Sequence, residues 1–125
     1  MATKLTRYRL KGTTAADGSL IVTSGTVARG KIHTIVADVG GLADTADITI
    51  TTPDDVVIQT ILNLTNQADD VVVRPLVLAT LNTGGALTAT GNIYKEYCVF
   101  SHLKLTVAQG GDSKACVVDV YVEEY

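Results

Sequence analysis

The chain has 125 residues, a net charge of −3 and 46% apolar side chains, enough for one domain with a single core that needs no cross-links. Val, Ile and Thr supply about a third of the residues, Trp is absent, and Met and Phe occur once each; that β-branched bias suits pleated sheet and argues for an all-β fold. No apolar run approaches the roughly 20 residues of a membrane helix, and the opening MATKLTRYRLKG lacks an apolar signal core, so a soluble protein made in a cytoplasm is expected.

The charge is unevenly placed. Residues 1–37 hold six bases (Lys4, Arg7, Arg9, Lys11, Arg29, Lys31) against Asp17 alone, whereas 38–74 hold Asp38, Asp44, Asp47, Asp54, Asp55, Asp69 and Asp70 against Arg74. A folded chain of this kind can present surfaces of opposite sign, which orient a partner or a neighbouring copy.

In chain order, KLTRYRLK alternates Thr6, Tyr8 and Leu10 with Leu5, Arg7, Arg9 and Lys11, predicting an edge strand or arm over residues 1–11 with one cationic face. Asp17-Gly18 predicts a turn and a first hairpin leading into LIVTS. ARGKIHTIVADVG predicts a strand with Ile32, Thr34 and Val36 on one face and Lys31, His33, Ile35 and Ala37 on the other, ended by Gly40-Gly41. TADITITT predicts Ile48 and Ile50 inward. VVIQTILNLT predicts a strand lined by Val56, Ile58, Leu62 and Leu64; the helical spacing of Val57, Ile61 and Leu64 competes, but β-branched residues dominate the run. Pro75 in VVVRPLVLAT predicts a broken, bulged or edge strand, because proline donates nothing to a ladder. LNTGGALTATGN is turn-rich. IYKEYCVF follows, and HLKLTVA and KACVVDVYVEE, joined by QGGDS, predict a closing hairpin with Leu103, Leu105, Val107, Cys116, Val118, Val120 and Val122 inward. The total is eight to ten short strands in one antiparallel β-sandwich or jelly roll spanning residues 1–125.

Chemistry-bearing residues are sparse. His33 and His102 are the only histidines, and Ser101 beside His102 has no nucleophile-elbow glycines around it. Asp54-Asp55, Asp69-Asp70 and the DTAD of Asp44–Asp47 lack the alternating acids, central Gly and terminal Glu of a calcium loop, so turn formation explains them. The Gly pairs are not followed by Lys-Ser/Thr or by a helix that could hold phosphate. No cofactor, metal or catalytic set is expected, so the chain is read as a non-enzyme. Tyr8 among Arg7, Arg9 and Lys11 is too thin a stacking platform to predict nucleic-acid binding. Cys98 and Cys116 are expected to be core thiols, with a disulfide open if their strands are neighbours.

The chain also resembles a family of small virion structural proteins of tailed bacteriophages. The resemblance covers nearly all of it and rests most specifically on NTGGALT at Asn82–Thr88, the GNIY that follows, and LKLTVAQGGDSKACVVDVYVE. It implies a capsid decoration or cement protein on the exterior of the virion shell. Its implied partner is the major capsid protein, and its implied state a homo-oligomer, with a trimer favoured. Within that reading Lys4, Arg7, Tyr8, Arg9 and Lys11 are the candidate contact with the shell or a sibling copy. The alternative is a carbohydrate- or receptor-binding module of a head fibre or tail, which the shortage of exposed aromatics disfavours.

Overall fold

The computed structural model describes residues 4–78 and 94–124. It is an all-β antiparallel sandwich; the NTGGALT stretch lies outside the described residues. The strands are β1 (Lys4–Thr13), β2 (Leu20–Thr23), β3 (Ala28–Asp38), β4 (Asp47–Thr51), β5 (Thr60–Leu64), β6 (Val71–Val73), β7 (Leu76–Leu78), β8 (Tyr94–Glu96), β9 (Cys98–Ser101), β10 (Lys104–Ala108) and β11 (Ala115–Glu124). One layer has the order β1-β11-β3-β6, with β9 pairing the first part of β3; the other has the order β2-β10-β4-β5, and β7 and β8 form a small ribbon. Leu10, Ile35, Val118, Val120 and Val122 from the first layer and Ile48, Ile50, Leu62, Leu105 and Val107 from the second are buried in one core.

The strand number exceeds the expected eight to ten because two apolar runs divide. Pro75 has no N–H to give a ladder, so VVVRPLVL leaves the large sheet after Val73 and enters the ribbon at Leu76. IYKEYCVF divides at Tyr97, whose carbonyl accepts from Ile32 N–H at 2.9 Å.

Two expected alternations fail at bulges. In β3, Ile32 pairs Val122 and Thr34 pairs Tyr121, leaving His33 as the extra residue, so that Ile32 and Ile35 are both buried. In β5, Leu62 pairs Ile50 and Thr60 pairs Thr51, so the intervening Ile61 turns into the core beside Leu62. The segment before it is no strand: Val56, Val57 and Ile58 stand outside the sandwich.

Both expected hairpins are corrected as well. β10 and β11 carry the predicted inward residues but lie in different layers, as do β1 and β2. Apolar alternation fixes which side chains face inward, and two facing sheets satisfy it as well as one hairpin does. Because β1 pairs β11 and β2 pairs β10, the 14–19 and 109–114 connections cross between the layers side by side. They bond to each other: Thr14 N–H donates to Lys114 O at 2.8 Å and Gly110 N–H to Gly18 O at 2.9 Å. Thr14 Oγ1 donates to the Gly111 carbonyl and accepts from Lys114 N–H. Gly18 has φ of 83°, and a Cβ there would sit 2.8 Å from Gly110 N, so only glycine fits this close approach.

Candidate functional site

β1 is the edge strand of its sheet, and period-two geometry splits the five candidate residues between its faces. Arg7, Arg9 and Lys11 project outward, whereas Tyr8 and Lys4 lie on the side of Leu10, Lys4 at the exposed strand end. The structure therefore does not join Tyr8 to the cationic row. Its hydroxyl donates to the Glu124 carboxylate, which also accepts from Thr6 Oγ1 at 3.1 Å. Burial, reinforced by that carboxylate, pushes the Tyr8 phenol up to about 12.

Within the outward row the cations differ in what faces them. Arg9 pairs Asp119 across the ladder, donating from Nε and an Nη at 2.8 and 2.9 Å. This fork holds the Asp119 carboxyl below its ordinary range and lets it remain buried on the outer face of β11. Arg7 and Lys11 instead face Tyr121 and Val117 and make no ion pair among the described residues.

A second feature, absent from the sequence reading, is the tip between β4 and β5. Val56, Val57 and Ile58 are 104%, 81% and 58% exposed. The loop beneath them is closed by hydrogen bonds. Thr52 N–H donates to Gln59 O at 3.0 Å, Gln59 N–H to Thr52 Oγ1 at 3.0 Å, and the Asp55 carboxylate accepts from Thr52 Oγ1 at 2.7 Å and Gln59 Nε2 at 3.1 Å. Asp54 ties the loop to the strand crossing beside it: its carboxylate accepts from His102 N–H at 2.8 Å and meets His102 Nδ1 at 2.7 Å. These bonds, the backbone one first, hold Asp54 below the ordinary carboxylate range. The Thr52-x-x-Asp55 spacing after two threonines is the signal that marks such a side-chain-closed turn.

Asp54, His102 and Ser101 thus come together, joined through backbone groups as well as side chains. The buried Ser101 hydroxyl donates to the His102 carbonyl and accepts from Asp54 N–H, so backbone groups engage both its donor and its acceptor side. The other histidine, His33, sits at the β3 bulge with Nδ1 2.7 Å from Thr34 Oγ1 and Nε2 3.1 Å from an Arg74 Nη. Arg74, Leu76, Glu96 and Glu123 complete a cleft of about 190 Å³ around it. A larger cleft of about 300 Å³ is lined by Arg29, Gly30, Phe100 and Glu124. Cys116 is buried and Cys98 exposed, both free; Cys98 therefore corrects the expectation of two core thiols. Among the described residues no group of three or more His, Cys, Asp or Glu is placed to hold a metal ion.

The fold defines the class as an antiparallel β-sandwich protein with exposed polar and apolar surface features. Compared with known proteins, the chain matches no family model, no curated protein and no solved structure.

Proposed function

We propose that this chain is a non-enzymatic virion protein of a tailed bacteriophage that binds the outside of the capsid shell and holds neighbouring capsomers together. The sequence resemblance suggests the role, and the observation that carries the contact is the outward row of β1. Arg7 and Lys11 lie about two residues either side of Arg9 along an edge strand with no carboxylate opposite them, while Arg9 is already neutralised by Asp119. An acidic shell surface would supply the missing carboxylates, and many copies would multiply modest contacts into tight binding. Purified chain should co-sediment with undecorated shells and raise their melting temperature. Arg7→Glu with Lys11→Glu should weaken this binding at least tenfold, more at low salt than at high. Failure of the wild-type chain to sediment with shells overturns the role; equal binding by the double variant overturns the contact.

A further inference from the structure

β1 is a ten-residue strand at the open side of its sheet, paired to β11 without a bulge from Lys4 to Thr13. That register decides which backbone groups it leaves open. Thr14 N–H donates to Lys114 O just beyond the last pair, so the even-numbered residues of β1, Gly12 against Cys116 and Leu10 against Val118 among them, exchange the ladder bonds. The N–H and C=O of Leu5, Arg7, Arg9, Lys11 and Thr13 therefore point away from β11. No hydrogen bond among the described residues engages them, and each of these residues is exposed. Proteins blunt such an edge by shortness, proline, bulges or charge; β1 has charge alone.

We propose that this edge receives an extended acidic segment of a partner as an added antiparallel strand, with carboxylates four residues apart opposite Arg7 and Lys11 and an uncharged residue opposite Arg9. Charge selects the occupant. Two copies of β1 laid edge to edge would set Arg7, Arg9 and Lys11 against one another, and like charges directly opposite destabilise a pair. An acidic strand reverses that sign, and its demand is uneven. Asp119 already holds Arg9 through two hydrogen bonds, whereas Arg7 and Lys11 face Tyr121 and Val117 and make no ion pair among the described residues. The groups that need carboxylates are thus the same residues whose backbone needs a ladder. The inference deepens the shell contact proposed above and rests on it only for the identity of the partner: the cations bind the partner's acids, and the open backbone binds its main chain.

The test uses the whole chain and a synthetic probe, acetyl-Ser-Glu-Val-Thr-Val-Glu-Ser-amide, with no shell present. In the free chain the Arg7, Arg9 and Lys11 amides should exchange with deuterium fast and the Leu10 amide slowly. Probe at millimolar concentration should slow the outward amides at least tenfold. N-methylation of its central threonine leaves the charge unchanged but removes a ladder donor, and should weaken binding tenfold or more. Arg7→Gln with Lys11→Gln should weaken the unmodified probe by a similar factor, while thermal unfolding shows the variant still folded. A probe that does not bind overturns the proposal, as does one that binds with the outward amides still exchanging fast, binds equally when N-methylated, or ignores the double substitution. Shells that fail to bind the chain overturn the role proposed above and leave this contact standing; a probe that fails to bind does the reverse.

Discussion

At the end of the sandwich where the 14–19, 39–46, 65–70 and 109–114 connections cross, backbone groups of one loop bond those of another, Thr14 to Lys114, Gly110 to Gly18, Ala43 to Gly110 and Gln67 to Ala46, and the side chains of Thr14, Asp47 and Asp70 add further bonds between them. At the opposite end the side chains of Thr52, Asp54, Asp55, Ser24 and Ser101 carry most of the bonds of the 52–59 loop and the 101–103 crossing, beside backbone bonds from Thr52 to Gln59 and from Ser24 to Leu103. Left-handed backbone follows the same division. Gly18, Asn66, Gln109, Gly111 and Ser113 all have positive φ at the crossing end, while Gly30 alone does so elsewhere among the described residues. Backbone-to-backbone closure demands close approach and specific dihedrals, and it leaves little apolar surface outside. At the opposite end the 52–59 loop, closed at its base by Thr52, Asp55 and Gln59, carries the exposed Val56–Ile58 tip.

The largest expected effect separates the ends through glycine. Gly18→Ala places a Cβ at φ of 83° against the Gly110 and Gly111 amides and should destabilise the fold by about 2–4 kcal/mol in urea unfolding. Gly25, in the turn after β2 at the other end, has open space where a Cβ would stand, and Gly25→Ala should change stability by less than about 0.5 kcal/mol. Equal losses would break the comparison.

A smaller, local effect should follow acidification. The folded Asp54 carboxyl is held below its ordinary value of 3.8 by His102, so its bonds are intact above that value and are lost as pH falls through the lower folded value. The backbone bond from Gly110 N–H to Gly18 O has no titrating partner. The His102 amide resonance should therefore move with an acid midpoint below the ordinary carboxyl range while the Gly110 amide stays in place. A common midpoint for both would mean that the two ends respond as one unit.

Much of the layer structure was legible in the sequence, because alternation is a local property. Ile48 and Ile50, Leu103 to Val107 and Cys116 to Val122 face inward as their spacing implies. What was not legible is which strand bonds which: Leu105 alternates identically whether its neighbour is β11 or, as found, β2 and β4. Bulges were hidden for a related reason, since His33 and Ile61 become extra residues only against a partner register. On the candidate contact, the outward positions of Arg7, Arg9 and Lys11 follow from period two, which equally excludes Tyr8 from that row. Pairing alone shows that Asp119 neutralises Arg9 and leaves Arg7 and Lys11 facing Tyr121 and Val117. The tip was missed because β-branched content reads as strand, whereas Thr52, Asp55 and Gln59 close it as a loop.

The two cysteines report on the two ends separately. Cys116 pairs Gly12 near the crossing end, where burial pushes its thiol up and withholds the reactive thiolate. Cys98 pairs Lys31 near the opposite end and is exposed. A thiol reagent should therefore label Cys98 in the native protein and Cys116 only through opening, with Cys98→Ser removing the fast phase and nothing else. Combined with Gly18→Ala, the assay becomes directional. Loosening the crossing loops should speed Cys116 labelling through more frequent opening, while the Cys98 rate, set by direct access, stays constant. If both rates rise together, the sandwich opens as a whole and the division between its ends is one of geometry rather than of stability.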